Sequence, residues 1–246
     1  IALSYVSNAD EAQMAVFNGI SSWANVARDN LNLNLDGWLS DNFINQLNGT
    51  TYGVFDPRIE KITDKTIHGT YVGTRNGQGN VGAANTIKDE CYISMNSPLT
   101  AENAAITLVS YAEVLFMEAE AAFRANDKDA AYEAYRKGIK ANMDKLGVAA
   151  TARDSYLAST VVAQSAAAVT LAQIFMEKYV ATYLSPEAWN DVRRNDYSYK
   201  NMQLPMNAVL PTFIRRMAYP SQEQSTNGSN VPNVASLAEK LWWDMP

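Results

Sequence analysis

A mainly α fold, with paired helices supporting a long loop-rich region, is predicted by three features of this 246-residue sequence. Between residues 100 and 147, two apolar stripes at helical spacing are separated by a short polar break. Comparable stripes recur between 170 and 194. Between 31 and 99, by contrast, Gly and Asn-Gly punctuation at Asn48-Gly49, Asn76-Gly77 and Gly79 interrupts every periodic pattern.

Residues 8 to about 30 place acidic residues ahead of apolar ones at helical spacing, which predicts a first helix. From 31 to 99 the sequence predicts loops with short strands. A stretch this long without periodicity in a compact domain is more often functional than idle. Thr100 is the expected N-cap of the next helix. Leu108, Tyr111, Ala112, Leu115, Ala119, Ala122 and Phe123 form its apolar stripe. Asn126-Asp127 breaks it, and Asp127 caps a second helix ending at Gly147.

Ala121, Ala131, Ala134 and Gly138 are small enough to let these two helices approach, with Phe123 and Tyr135 filling the gaps. This is the helix–turn–helix pattern of a tetratricopeptide repeat. One such repeat cannot bury its own faces, so neighbouring helices must cover it. Thr170 and Gln173 have capping-box spacing, and Ser185-Pro186-Glu187 starts another helix. Beyond 195 the sequence predicts a polar strap, including "RRMAYPSQEQSTNGSN" at 215–230, and a terminal helix over 235–243. The expected organisation is one domain over 1–246: a loop-rich region at 31–99, tetratricopeptide-like helices at 100–194, and strap and terminal helix at 195–246.

The composition is that of a globular protein, 47% hydrophobic and 19% charged. A net charge of -6 argues against nucleic acid or an anionic membrane surface as the main partner. Aromatic residues and abundant asparagine suit neutral polar ligands such as sugars, although core packing and turns use the same residue types. The one cysteine, Cys91, excludes an internal disulfide. No run reaches the roughly 18 to 20 apolar residues of a membrane-spanning helix. The chain begins at Ile1 in mid-pattern, so it reads as a processed or truncated piece.

No catalytic arrangement emerges from the residue supply. His68 is the only histidine, and no Gly-x-Ser-x-Gly elbow is present. A Cys91–His68 pair has no supporting spacing, and ligands for a zinc site are too few. "GTRNGQGNVG" lacks the Lys-Ser/Thr of a phosphate loop. Glu118 and Glu120 sit two apart on a helix and so face different directions. Asp127 and Asp129 lack the Gly and distal Glu of a calcium loop. The sequence therefore predicts no cofactor and no metal.

Several segments, in order, resemble the SusD/RagB group of outer-membrane nutrient-binding lipoproteins of Bacteroidetes. They are "YGVFDPRI" (52–59), "YVGTRNGQGN" (71–80), "SYAEVLFMEAEAAFR" (110–124), "AYRKGIKANMDKLGV" (134–148) and "IFMEKYVATYLSPEAWNDVRR" (174–194), then the strap and "KLWWD". The resemblance runs from about residue 50 to the end. It implies a SusD-like helical protein without enzymatic activity, lying at the cell surface over a SusC-like TonB-dependent transporter. Its ligands would be glycans, or peptides in some branches. It also implies a signal peptide and a lipidated cysteine outside this chain. A glycan-active hydrolase and a tetratricopeptide adaptor are the competing functions.

Sugar capture needs flat aromatic faces and planar hydrogen-bonding groups. In the loop-rich region these would be Trp38, Tyr52, Tyr71 and Tyr92, with Arg75, Asn76 and Gln78 as polar partners, though each also fits core packing or turn chemistry. Asp56, Arg58, Arg193, Arg194, Arg215 and Arg216 are expected to tie loops to helices through charge-assisted hydrogen bonds. Trp189, Trp242 and Trp243 are expected to be packing anchors, with stacking platforms as the alternative role.

Overall fold

A computed structural model describes residues 5–15, 22–79, 87–242 and 244. Its fold is mainly helical, as the sequence predicts. The central unit is the pair α4 (Tyr111–Arg124) and α5 (Lys128–Lys145). Helix α7 (Leu171–Ala181) packs on both, α6 (Ala150–Leu157) on α5, and α8 (Glu187–Arg194) on α7.

Local chemistry accounts for several helix starts. Asp127 accepts from the Ala130 amide to start α5, and Thr170 and Gln173 form the complete capping box of α7. Ser110, not Thr100, caps α4, because residues Ile106–Val109 are taken into a strand. Thr100 instead lies in a 3₁₀ turn, its hydroxyl donating to the Ser94 and Ser97 carbonyls. That strand, β2, pairs antiparallel with β1 (Ala12–Met14). The helix expected over residues 8–30 is thus divided into a 3₁₀ turn at Asn8–Asp10, β1, and α1 (Ser22–Leu31). Ser7 and Asp10 cap the short turn reciprocally, and the partner strand then draws the next residues into an extended conformation. Glu11 closes this corner by accepting from the Tyr111 amide and from Lys145 Nζ at 2.5 Å.

The small residues of α5 do what their size predicts. Ala131, Ala134 and Tyr135 are buried, and a Cβ on Gly138 would lie 3.0–3.1 Å from the Phe116 ring. Ala121 faces solvent and takes no part. Gly138→Ala gains about 1 kcal/mol of helix propensity, but displacing a packed ring costs about 1–3 kcal/mol. Net destabilisation of about 1 kcal/mol is expected in urea unfolding; a more stable variant contradicts tight packing here.

The region 31–99 is less bare than the sequence predicts. It contains α2 (Asp41–Leu47), capped by Ser40, and the single turn α3 (Ile59–Ile62). Helix α2 buries Phe43, Ile44 and Leu47, and Phe43 stacks on Tyr183 at 5.4 Å and meets Tyr179 edge-on at 5.8 Å. Seven residues carry too little periodicity to stand out in a sequence.

A buried ionic knot joins this region to the helices. Arg58, 0% exposed, binds both Asp56 carboxylate oxygens and reaches Glu177 of α7 at 2.5 Å. Its third branch donates to Asn142 of α5 at 3.3 Å, and Tyr156 of α6 donates to Glu177 at 2.8 Å. Burial raises the Glu177 carboxyl, opposed by the Arg58 charge.

Candidate functional site

An open cleft of about 1600 Å³ lies among the described residues. One wall is the N-terminal end of α2 with the turn at Arg75 and Asn76. The floor is α8, and the opposite wall is the strap, from about residue 201 to 237. This volume exceeds the roughly 300–1,000 Å³ of ordinary small-molecule sites.

Aromatic faces come from Trp189, Tyr197, Phe213 and Tyr219. Tyr197 and Phe213 stack at 4.2 Å with their planes 5° apart. Arg193 lies 3.9 Å over the Trp189 ring, and this half-buried tryptophan, expected as a packing anchor, also lines the cleft. Amides come from Asn42, Asn45 and Asn76 on one side and from Gln203, Gln224 and Asn233 on the other. Asp41 and Arg75 are the charged residues among the described lining.

The strap is held chiefly by Arg215. Its Nε donates to Asp244 at 2.7 Å and its Nη1 to Asp196 at 2.8 Å. Its backbone nitrogen donates to the Leu237 carbonyl at 2.7 Å, and its own carbonyl accepts from Arg193 Nη1 at 2.7 Å. Arg194 ties α8 back to α4 through Glu120 and, at 2.7 Å, binds Asp191, which also pairs with Lys178. Arg216 departs from the expected role: among the described residues it has no ion pair, and its guanidinium faces the Tyr219 ring at 5.6 Å. The chain turns between two adjacent arginines, so only the first points inward.

Other sequence expectations are also redistributed. The polar stretch contains a short helix, α9 (Ser221–Thr226), whereas residues 235–242 form none. There the Leu237 carbonyl accepts from both the Arg215 and Arg216 amides. Trp242 is 88% exposed, so it anchors no packing, and Trp243 lies outside the described residues.

Of the predicted binding residues, Arg75 and Asn76 line the cleft; Trp38, Tyr52, Tyr71, Gln78 and Tyr92 do not. Tyr92 is 3% exposed and packs beside Trp38 at 6.4 Å, so its ring has no face for a ligand. Tyr71 packs against the core and Phe55, while Lys200 lies over Tyr52. The strap residues that do line the cleft are spread over some forty positions without a motif, so only the aromatic content at 189–219 signalled them.

Acid–base chemistry finds little here. Burial acts to raise the Glu120 carboxyl, but the hydrogen bonds and charges of Arg194 and Arg124 outweigh it and hold the group below its ordinary value. Burial pushes the Cys91 thiol up to about 11, the wrong direction for a nucleophile. His68 pairs with Asp89 at 3.0 Å. No cluster of three or more His, Cys, Asp or Glu side chains able to hold a metal ion occurs among the described residues. Nor is any described helix long and apolar enough to cross a membrane.

The described residues thus form a helical scaffold bearing a recess lined by aromatic and amide groups. Residues 2–220 match the SusD-like family described as starch-binding and associating with the outer membrane, and the chain belongs to that family. Three solved structures share the fold. A chitin-binding protein is 22% identical with a TM-score of 0.69, covering 98% of this chain and 56% of its own length. A SusD homologue from Parabacteroides distasonis is 23% identical with a TM-score of 0.72, covering 98% of this chain and 58% of its own length. A SusD homologue from Bacteroides vulgatus is 19% identical with a TM-score of 0.71, covering 97% and 54%. The chain thus spans little more than half the length of these relatives. Among curated protein sequences, none matches.

Proposed function

We propose that this protein captures glycans at the outer surface of the outer membrane and passes oligosaccharides to a SusC-like TonB-dependent transporter. It would be a lipoprotein, and not an enzyme. The observation that carries the reading is the cleft, whose stacking rings and amides match the C–H faces and hydroxyls of sugars. Membership of a family described as starch-binding and a fold shared with a chitin-binding protein support the ligand class.

A hydrolase would need two carboxylates about 5 to 10 Å apart across the ligand. Asp41 is the only carboxylate among the described lining residues, and its oxygen accepts from the Asn42 amide in the first turn of α2. A peptide is the second ligand class the same amides and rings would take.

Isothermal titration of the full-length protein against starch, chitin and other oligosaccharides tests the reading. Dissociation constants in the millimolar to micromolar range, about -4 to -8 kcal/mol, are expected. Tyr219→Ala should weaken binding by roughly tenfold through loss of one stacking face, about 1.4 kcal/mol. Failure to bind any glycan or peptide removes the proposal.

A further inference from the structure

Resting on the reading of the cleft as a glycan site, we propose that Gly77 is a positioning residue for the ligand. The Asn76–Gly77 turn clasps the strap at Met206 and so sets the width of the cleft. The turn is fixed at its base, where Thr74 donates to the Leu39 carbonyl at 2.8 Å and accepts from the Asp41 amide at 2.9 Å. Its tip reaches across to the other wall, where the Met206 amide donates to the Asn76 carbonyl at 2.7 Å. Arg75 and Asn76 line one side of the cleft and Pro205 the other, so this bond joins the two walls directly.

Gly77 makes the approach possible. It has φ +81°, a left-handed conformation that favours glycine. A Cβ there would overlap the Met206 carbonyl oxygen and lie 2.8 Å from its nitrogen and 3.1 Å from Pro205 Cβ. Two of those atoms belong to the backbone and cannot swing aside, so any side chain forces the walls apart.

The strap has little else to hold it at this point. Among the described residues, Met206 makes the one main-chain hydrogen bond leaving residues 203–213. Asn201 and Asn207, with φ +63° and +60°, flank the contact in left-handed turns. The segment carries Leu204, Val209 and Leu210 along the cleft, and Val209 is 97% exposed. A wall secured by one internal bond between two turns yields there first when that bond is lost.

The test compares the full-length protein with Gly77→Val and with Met206→Pro, which removes the donor without adding a side chain at position 77. Association and dissociation rates are measured for the tightest oligosaccharide of the titration panel, with amide exchange recorded in parallel. Both variants should release the ligand roughly tenfold faster with association little changed. Exchange should quicken in residues 203–213 but not in α4 and α5, and the melting temperature should stay within about 2 °C. Faster exchange with unchanged release overturns the clasp while leaving the glycan reading intact. A change in only one variant, or global unfolding of both, also overturns it. Absence of glycan binding by the parent protein removes the glycan reading itself, and the positioning role with it.

Discussion

Arg58→Met is expected to lower the unfolding free energy by roughly 3–5 kcal/mol, because it leaves two carboxylates buried without their cation. Asp56 is 2% exposed and Glu177 is 0% exposed, so water cannot replace the guanidinium. The loss is large against the roughly 5–15 kcal/mol that separates folded from unfolded states in ordinary domains. Arg58→Lys should recover only part of it, since one ammonium cannot reach Asp56, Glu177 and Asn142 as the planar fork does.

The pH dependence has a definite sign. Without Arg58, Glu177 keeps the burial that raises its carboxyl and loses the charge that opposes it. Its folded value then lies further above the ordinary 4.5, so the folded state gains on protonation. The difference between variant and parent should therefore be greatest near neutral pH and shrink as pH falls toward 4.5. Urea titrations of both proteins at several pH values check this. A loss below about 1 kcal/mol, or one that grows on acidification, would show that the knot is not what holds the loop region to the helices.

Arg215→Ala is the second large effect, and it should be local. The residue joins the strap to Asp244, Asp196 and, through its main chain, to Leu237 and Arg193. Asp244 is 8% exposed and would lose its cation. Opening of residues 196–244 should become easier by about 3 kcal/mol, with α4, α5 and α7 unaffected. Limited proteolysis should then cut in the strap before the helices. Because the strap forms one wall of the cleft, ligand affinity should fall as well. Arg216→Ala should cost no more than about 1 kcal/mol, the worth of its contact with Tyr219. Equal effects at 215 and 216 would refute this division of roles.

The pair α4–α5 and helix α7 are legible because their signals are local. Stripes at i, i+3 and i+4, Asp127 as a cap and the Thr170–Gln173 box act within a few residues of where they are read. The family segments are legible for a related reason: "DPR" and "WNDVRR" hold charged side chains whose burial demands partners. What those partners are is not local. Arg58 meets Glu177 across 119 positions, and Arg194 meets Glu120 across 74.

Short elements escaped for lack of length, as in α2, or because a distant strand outcompeted a helical pattern, as at residues 12–14. The lining of the candidate cleft was the least legible. Trp38, Tyr71 and Tyr92 have the composition of a sugar platform, yet Tyr92 is buried, Tyr71 packs against the core and none of the three lines the cleft, whose rings are Trp189, Tyr197, Phe213 and Tyr219. By itself the sequence determined the helical class, the caps of α5 and α7 and the family, all carried by spacing within single elements. Only the tertiary structure decided which arginine is a pin, which ring is free and where the cleft lies. Those outcomes depend on contacts between residues far apart in the chain, and spacing does not encode them.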